Sequence, residues 1–185
     1  LADGNLSFGD DLASSLVNKG YRVVALDARS HGARKDESRP MERLKALKSG
    51  KPESYLAMIN GTVGDYEVLL KKITKSFGQP RSIMIAGYSM GAQMAVLFAA
   101  KHPEVTGLVT MVPPAVKDAP VVAPINHASK VNANWLLLTA NNDQYSTKAE
   151  NNALAKAGGD KVTHVKFDSR HILPRSYLST VSSWI

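Results

Sequence analysis

The stretch that most constrains this chain is Gly87-Tyr88-Ser89-Met90-Gly91. An apolar run at residues 82–86 precedes it, and the nearly uninterrupted apolar segment 92–100 follows it. This order predicts a strand, a sharp turn and a helix, with Ser89 at the apex of the turn. The pattern G-x-S-x-G needs small neighbours because the serine backbone is strained and helix and strand lie close together. The alternative is a glycine-rich turn with an ordinary serine, because so short a pattern also arises by chance.

Strands and helices alternate along the rest of the chain. Apolar, β-branched runs predict buried strands at residues 21–26, 82–86, 107–112, 135–140 and 162–167. Helical spacing predicts helices at residues 7–19, 63–77, 92–101, 147–157 and from Pro174 onward, with shorter helical pieces at 41–48 and 53–60. Such alternation predicts an α/β fold of three layers around a doubly wound, mostly parallel sheet. A length of 185 residues fits one domain spanning 1–185.

Composition narrows the class of protein. The chain is 44% hydrophobic and 21% charged, which is ordinary for a globular domain, and no apolar stretch approaches the ~18 residues of a membrane span. We therefore expect no transmembrane segment. The absence of cysteine excludes disulfides, thiolate nucleophiles and cysteine-ligated metals, and leaves the compartment open. The chain starts at Leu1, so a processed start is possible and export remains compatible with it, although the cytoplasm is slightly favoured.

The net charge of +7 is concentrated in one segment. Residues 29–51 contain eight basic residues and only three acidic ones. Nucleic-acid binding would need aromatic side chains among these charges or a docking motif, and the segment has no Phe, Tyr or Trp. We interpret it as a solvated, charged excursion and expect no nucleic-acid partner. Binding of an anionic partner is the alternative.

Three predicted strands are followed by residue types used in acyl transfer. Ser89 follows the strand at 82–86, Asp143 follows 135–140, and His171 follows 162–167. The carboxyl ends of parallel strands meet at one edge of a sheet, where reactive groups gather. A serine hydroxyl needs a base to remove its proton, and the base needs an acid to orient it. The sequence therefore predicts a serine nucleophile, a histidine base and an acid at this edge.

The chain resembles the α/β-hydrolase fold serine hydrolases, near the carboxylesterase and dienelactone-hydrolase-like members. The matching parts are the turn at 87–91, residues 20–32, Asp143 and residues 171–174, in the order Ser…Asp…His that this fold uses. The resemblance implies a serine esterase that needs no metal and no organic cofactor. It also implies that Arg29 and His31 hold loops by hydrogen bonds.

Rival residues remain for the acid and the base. Asp168 is an alternative acid, but it lies only three residues from His171 on the same loop, so Asp143 is preferred. His31 is the main alternative base because it also lies at the carboxyl end of a predicted strand. Other histidines are less suited, since His164 lies inside a strand, His102 ends a helix and His127 precedes the acid-bearing strand.

The oxyanion hole, which binds the negatively charged oxygen in acyl transfer, needs two backbone N–H donors, and the turn at 87–91 predicts one of them. The backbone N–H of Met90 is one expected donor, because the residue after the nucleophile has this role in the fold. The second donor is expected from the N–H of Asn5 or Leu6. In the family, a strand precedes the loop that carries this second donor, and residues 1–6 contain no such strand. Its loss would leave a gap between the strands at 21–26 and 82–86 that no hydrogen bond can span. We therefore expect that amino-terminal residues are omitted; direct pairing of 21–26 with 82–86 is the alternative.

The expected activity is cleavage of a small carboxylic ester through an acyl-enzyme. The connection 113–134 is too short for a large helical lid, so the excursion 33–61 is the expected partial cover and short acyl groups the expected substrates. Thioesterase, lactonase, peptidase or acyltransferase activity, and a non-catalytic domain of the same fold, are the alternatives.

Overall fold

The computed structural model describes residues 7–185, and its centre is a parallel four-stranded sheet. The strands are β1 (Met84–Tyr88), β2 (Gly107–Met111), β3 (Asn134–Ala140) and β4 (Val162–Phe167). They lie side by side in chain order, and the register aligns Tyr88 with Met111 and Ala140 with Phe167. Four of the five predicted strands are therefore confirmed. Because all four are parallel, their carboxyl ends lie at one edge of the sheet.

Helices cover both faces of this sheet, as a three-layer fold requires. Alternate residues of β3 enter different cores: Trp135 and Leu137 belong to one apolar cluster, and Leu136 and Leu138 to the other. The first cluster contains residues of the helices α2 (Pro40–Lys48), α3 (Glu53–Phe77), α4 (Met90–Ala99) and α5 (Lys148–Gly158). The second is covered by α1 (Ser7–Asn18) and α6 (Tyr177–Trp184). The predicted α/β architecture is confirmed.

The helix α3 is one continuous helix of 25 residues, whereas the sequence predicts two pieces separated near Gly61. Gly61 lies in its interior, where an added Cβ would fall 2.5 Å from the guanidinium of Arg29. This glycine therefore allows a close approach of the Arg29 side chain and does not end the helix. Apolar packing of its buried residues, among them Ile59 and Val63, outweighs the low helix propensity of glycine.

The predicted buried strand at residues 21–26 is wrong. The segment has no regular secondary structure, and Val24 is 46% exposed. Strand geometry is stabilised by hydrogen bonds to a neighbouring strand, and no described strand pairs with this segment. The alternative of direct pairing with β1 is not observed either, since β2 is the only strand paired with β1 among residues 7–185.

The connection between β2 and β3 is short and compact. It contains three turns of 3₁₀ helix, at Pro120–Val122, Pro124–Asn126 and Ala128–Lys130. These turns and Val131, the residue after the last of them, pack into the first apolar cluster, which contains Val122 and Ala128, so they form part of the core layer. The described residues thus carry no large lid at this point of the chain. No helix within residues 7–185 has the length and apolar character needed to cross a bilayer.

Candidate functional site

The turn at residues 87–91 joins β1 to α4 through a strained serine. Ser89 has φ +52° and ψ −118°, a region that residues with a side chain rarely adopt. Its N–H donates a 2.8 Å hydrogen bond to the carbonyl of Met111, the last residue of β2. A Cβ on Gly87 would lie 2.2 Å from the carbonyl oxygen of Gly91, so only glycine fits there. At Gly91 a Cβ would meet no described atom within 4 Å, so the expected crowding holds on one side only.

The structure brings Ser89, His171 and Asp143 together in what we call the carboxyl-end cluster. The distance from Ser89 Oγ to His171 Nε2 is 2.7 Å. On the other side of the ring, Nδ1 lies 2.8 Å and 3.0 Å from the two carboxylate oxygens of Asp143. The side chains of His171 and Asp143 are 15% and 1% exposed. In the tautomer with its proton on Nδ1, this N–H donates a hydrogen bond to Asp143. Nε2 is then free to accept a hydrogen bond from the hydroxyl of Ser89.

Tyr145 supports the acid of this cluster. Its backbone N–H donates a 2.8 Å hydrogen bond to Oδ1 of Asp143. Its ring meets the ring of His171 edge to face, with centroids 4.6 Å apart. The carboxylate and the imidazole are therefore each held by a second contact from the same residue. Such support limits the orientations that the imidazole can adopt.

Tyr88 holds the loop that carries His171, and the sequence provides no sign of this. Its hydroxyl donates a 2.9 Å hydrogen bond to the carbonyl of His171 and accepts one of 2.9 Å from the N–H of Leu173. Burial raises the pKa of Tyr88, so the hydroxyl keeps its proton at neutral pH. Tyr88 occupies an unspecified position of the G-x-S-x-G pattern, and its partners lie more than 80 residues away.

The rival acid and bases have partners elsewhere. Asp168 is exposed and accepts a 3.1 Å hydrogen bond from Asn142. Each of the four other histidines is engaged away from Ser89, as follows: His31 with the carbonyl of Arg29, His102 with Glu104, His127 with the carbonyl of Val121, and His164 with the hydroxyl of Thr139. Burial lowers the pKa of His164, and the positive charge of Lys166 lowers it further. Among the described residues, only His171 contacts Ser89 through its ring.

One of the three expected oxyanion donors lies in the described part of the chain. Met90 is the first residue of α4, and its N–H has no acceptor among residues 7–185. Unpaired N–H groups of this kind, at the positive end of a helix, stabilise negative charge. Asn5 and Leu6, the two candidates for the second donor, lie outside the described residues.

The arrangement suits proton transfer from a hydroxyl to an imidazole. Serine, histidine and carboxylate lie in line, and a free N–H follows the serine, which is the set of groups that acyl transfer uses. Within residues 7–185, no three His, Asp or Glu side chains converge in a way that could hold a metal ion.

Solved structures with this fold include several esterases. A Pyrococcus furiosus esterase is 16% identical with a TM-score of 0.75, and covers 99% of this chain and 77% of its own. A cold-adapted esterase from an Arctic intertidal metagenomic library is 18% identical with a TM-score of 0.77, covering 99% and 76%. The esterase domain of a Rhodothermus marinus protein is 15% identical with a TM-score of 0.68, covering 98% and 80%. At these identities the likeness establishes the fold.

Sequence comparison identifies the family. No curated protein matches the chain. The profile of the hydrolase family described as serine aminopeptidase, S33, matches residues 6–173, which include the turn at 87–91, Asp143 and His171. The chain therefore belongs to this family of α/β hydrolases.

Proposed function

We propose that this hydrolase cleaves a small carboxylic ester, with Ser89 as nucleophile, His171 as general base and acid, and Asp143 as the group that orients His171. The observation that carries the proposal is the 2.7 Å contact between Ser89 Oγ and His171 Nε2, continued at 2.8 Å to Asp143. A hydroxyl in direct contact with an oriented imidazole is what acyl transfer to serine requires. The esterases that share the fold support the choice of an ester.

The reaction proceeds in two halves. Ser89 Oγ attacks the ester carbonyl carbon while its proton passes to Nε2 of His171. The carbon–oxygen bond to the alcohol then breaks, the alcohol takes the proton from Nε2, and the acyl group remains on Ser89. Water next attacks the acyl carbon and gives a proton to Nε2. The bond to Ser89 breaks, Oγ recovers the proton, and the carboxylic acid leaves.

The groups around the reacting atoms stabilise the charged intermediates of the reaction. The Asp143 side chain is 1% exposed, so its charge acts on the imidazolium through little water. The N–H of Met90 stabilises the oxygen that becomes negative when Ser89 attacks. Because the serine conformation is set by β1, β2 and α4, this geometry is present before substrate binds.

Labelling by a fluorophosphonate probe tests the nucleophile. The wild type is expected to be labelled on Ser89, and Ser89→Ala to remain unlabelled. Ser179→Ala is the matched control, because Ser179 lies exposed on α6 outside the cluster and should leave labelling unchanged. An unlabelled wild type, or equal labelling of wild type and Ser89→Ala, would overturn the proposal and favour a non-catalytic domain.

A second candidate is cleavage of an amide next to a peptide amino terminus, which the family description, serine aminopeptidase, favours. The same three side chains can serve both reactions. Rates on an ester, a thioester and an amide with the same acyl group separate the candidates. If the protein is an esterase, the amide should react slowest of the three. An amide that reacts faster than the ester would replace the ester proposal with amide cleavage.

A further inference from the structure

A cavity of about 470 Å³ lies at the amino end of β1. One side of it is the last part of α3, including Lys71, Thr74 and Lys75, and another is the segment 79–83 that leads into β1. Ser89 follows the carboxyl end of β1, and the five residues of this strand, at about 3.3 Å each, separate Ser89 from the segment. The cavity is therefore distinct from the carboxyl-end cluster.

Positive charge predominates in the lining of this cavity. Lys71, Lys75 and Arg81 border it, and none of their side chains has an ion-pair or hydrogen-bond partner within residues 7–185. The acidic residue of the described lining is Glu104, whose carboxylate lies 2.8 Å from Nδ1 of His102. This hydrogen bond lowers the pKa of Glu104, so the carboxylate is charged at neutral pH. The lining thus carries three positive charges against one negative charge.

The cations of this lining differ from those held by the carboxylate on the same helix. Asp65 of α3 is contacted by Arg34 at 2.7 Å, so that charge is balanced within the fold. Lys71 and Lys75 lie four residues apart, on one face of α3, where two like charges destabilise a helix. An anion between such charges removes their repulsion and is attracted by both. The arrangement therefore favours a negatively charged ligand.

Neutral hydrogen-bond donors lie in the same lining. The backbone N–H groups of Gln79, Arg81 and Ser82 donate to no residue in the described part of the chain. These three residues are exposed, so a ligand from solution can reach them. Phosphate and carboxylate groups carry several acceptor oxygens, which accept hydrogen bonds from charged side chains and from backbone N–H groups alike. The lining can therefore offer both kinds of donor to one oxyanion.

We infer that this cavity binds a small molecule with at least two negative charges on phosphate or carboxylate groups. Its volume of about 470 Å³ lies within the range of small-molecule pockets, about 300–1,000 Å³. The guanidinium of Arg81 can bind two oxygens of such a group side by side, and the two lysines add point charges. Phosphate and carboxylate probes distinguish the two sources of this charge.

The first experiment titrates the protein calorimetrically with inorganic pyrophosphate and with citrate. Sodium chloride at about 150 mM screens attraction by distant charges. At least one probe should bind saturably with a ratio of one to one, and the tighter probe identifies phosphate or carboxylate as the preferred group. Arg81→Gln should weaken this binding at least about tenfold, because it removes a charged donor. Glu104→Gln should strengthen it about threefold, because it removes the negative charge of the lining.

Two triple variants with the same change of net charge separate the cavity from general attraction. The first replaces the three cations of the lining by glutamine and should abolish binding. The control replaces three exposed lysines on or beside α2, which do not line the cavity, and should bind within about twofold of wild type. Its substitutions are Lys45→Gln, Lys48→Gln and Lys51→Gln. Equal losses in both variants, or a wild type that binds neither probe, would overturn the inference.

A second experiment locates the bound anion. The same probe is titrated while the amide resonances of Thr74 and Ser82 are followed by NMR, and saturable shifts at both support the cavity. Ser89→Ala should bind the probe as tightly as wild type, because Ser89 lies at the other end of β1. Loss of binding in Ser89→Ala would place the anion at the carboxyl-end cluster and overturn the inference. Neither titration needs turnover, so a failure of the proposed function leaves both results unaffected.

Discussion

Two loop regions rich in ionisable side chains are held in different ways. The carboxyl-end cluster of Ser89, Asp143 and His171 follows three hydrogen-bonded strands, and the side chain of its acid is 1% exposed. The second region, which we call the Arg29 loop (residues 27–36), follows a segment without a strand, and the Arg29 side chain is 48% exposed. Paired strands can hold a buried charge in place, whereas an ion pair between exposed side chains contributes only about 0–1 kcal/mol to the free energy of unfolding.

The Arg29 loop depends on shared carboxylates. Arg29 makes two 2.9 Å contacts with the carboxylate of Asp65 on α3, and Arg34 reaches the same group at 2.7 Å. Hydrogen bonding by Arg29, followed by that of Arg34, lowers the pKa of Asp65 to about 2. Asp36 serves Ser30 and Arg43 in the same way, at 2.8 Å and 2.6 Å. Part of the basic excursion is thus neutralised within the fold.

The largest expected effect tests the buried charge of the carboxyl-end cluster. Asp143→Asn should lower kcat by about 10³–10⁴-fold, because an amide cannot stabilise the imidazolium of His171. Ester hydrolysis under saturating substrate measures it. Asp168→Asn is the matched control, since Asp168 is exposed on the His171 loop, and should stay within about twofold of wild type. A loss of kcat in Asp168→Asn that exceeds the loss in Asp143→Asn would assign the acid to Asp168.

Gly87→Ala tests whether the strand–helix junction tolerates a side chain. The Cβ would lie 2.2 Å from the backbone of Gly91, so the free energy of unfolding should fall by about 3 kcal/mol or more. Gly91→Ala places its Cβ in open space and should change this free energy by less than about 1 kcal/mol. Urea denaturation compares the two variants. Equal losses would mean that the turn is not shaped by close packing at Gly87.

Tyr88→Phe removes the two hydrogen bonds that hold the His171 loop. We expect kcat/KM to fall about tenfold and amide hydrogen exchange at Leu173 to accelerate, because its N–H loses its acceptor. Labelling of Ser89 should persist at a lower rate. Tyr66→Phe, on α3, is the control for loss of a phenol, because the Tyr66 ring packs against Phe98 and has no described contact with the cluster. Unchanged kinetics and exchange would contradict a positioning role for Tyr88.

The smallest effect belongs to the Arg29 loop. The folded pKa of Asp65, about 2, lies below its ordinary value of 3.8, so between these pH values the unfolded chain binds more protons. Stability from this group is present above about pH 4 and is lost as pH falls towards 2. Allowing for the exposure of Arg29, Asp65→Asn should cost about 1 kcal/mol at pH 7 and flatten this pH dependence.

Denaturant unfolding across pH 2–7 measures the effect of Asp65→Asn. Asp160→Asn is the control, because Asp160 is exposed and should leave the curve unchanged. Activity at pH 7 should be within about twofold of wild type in both variants, since the Arg29 loop supports the fold and not the reaction. A large loss of activity in Asp65→Asn would remove the distinction between the two regions.

The sequence alone determined the alternation of strands and helices, the parallel sheet and the chain order of Ser89, Asp143 and His171. Hydrophobic periodicity and glycine position are local signals, and they report which face of an element is buried. The tertiary structure decided the rest: that residues 21–26 form no strand, that α3 continues through Gly61, and that Asp143 rather than Asp168 lies against His171. These outcomes depend on contacts between residues far apart in the chain, which sheet register and packing create and which no local pattern encodes.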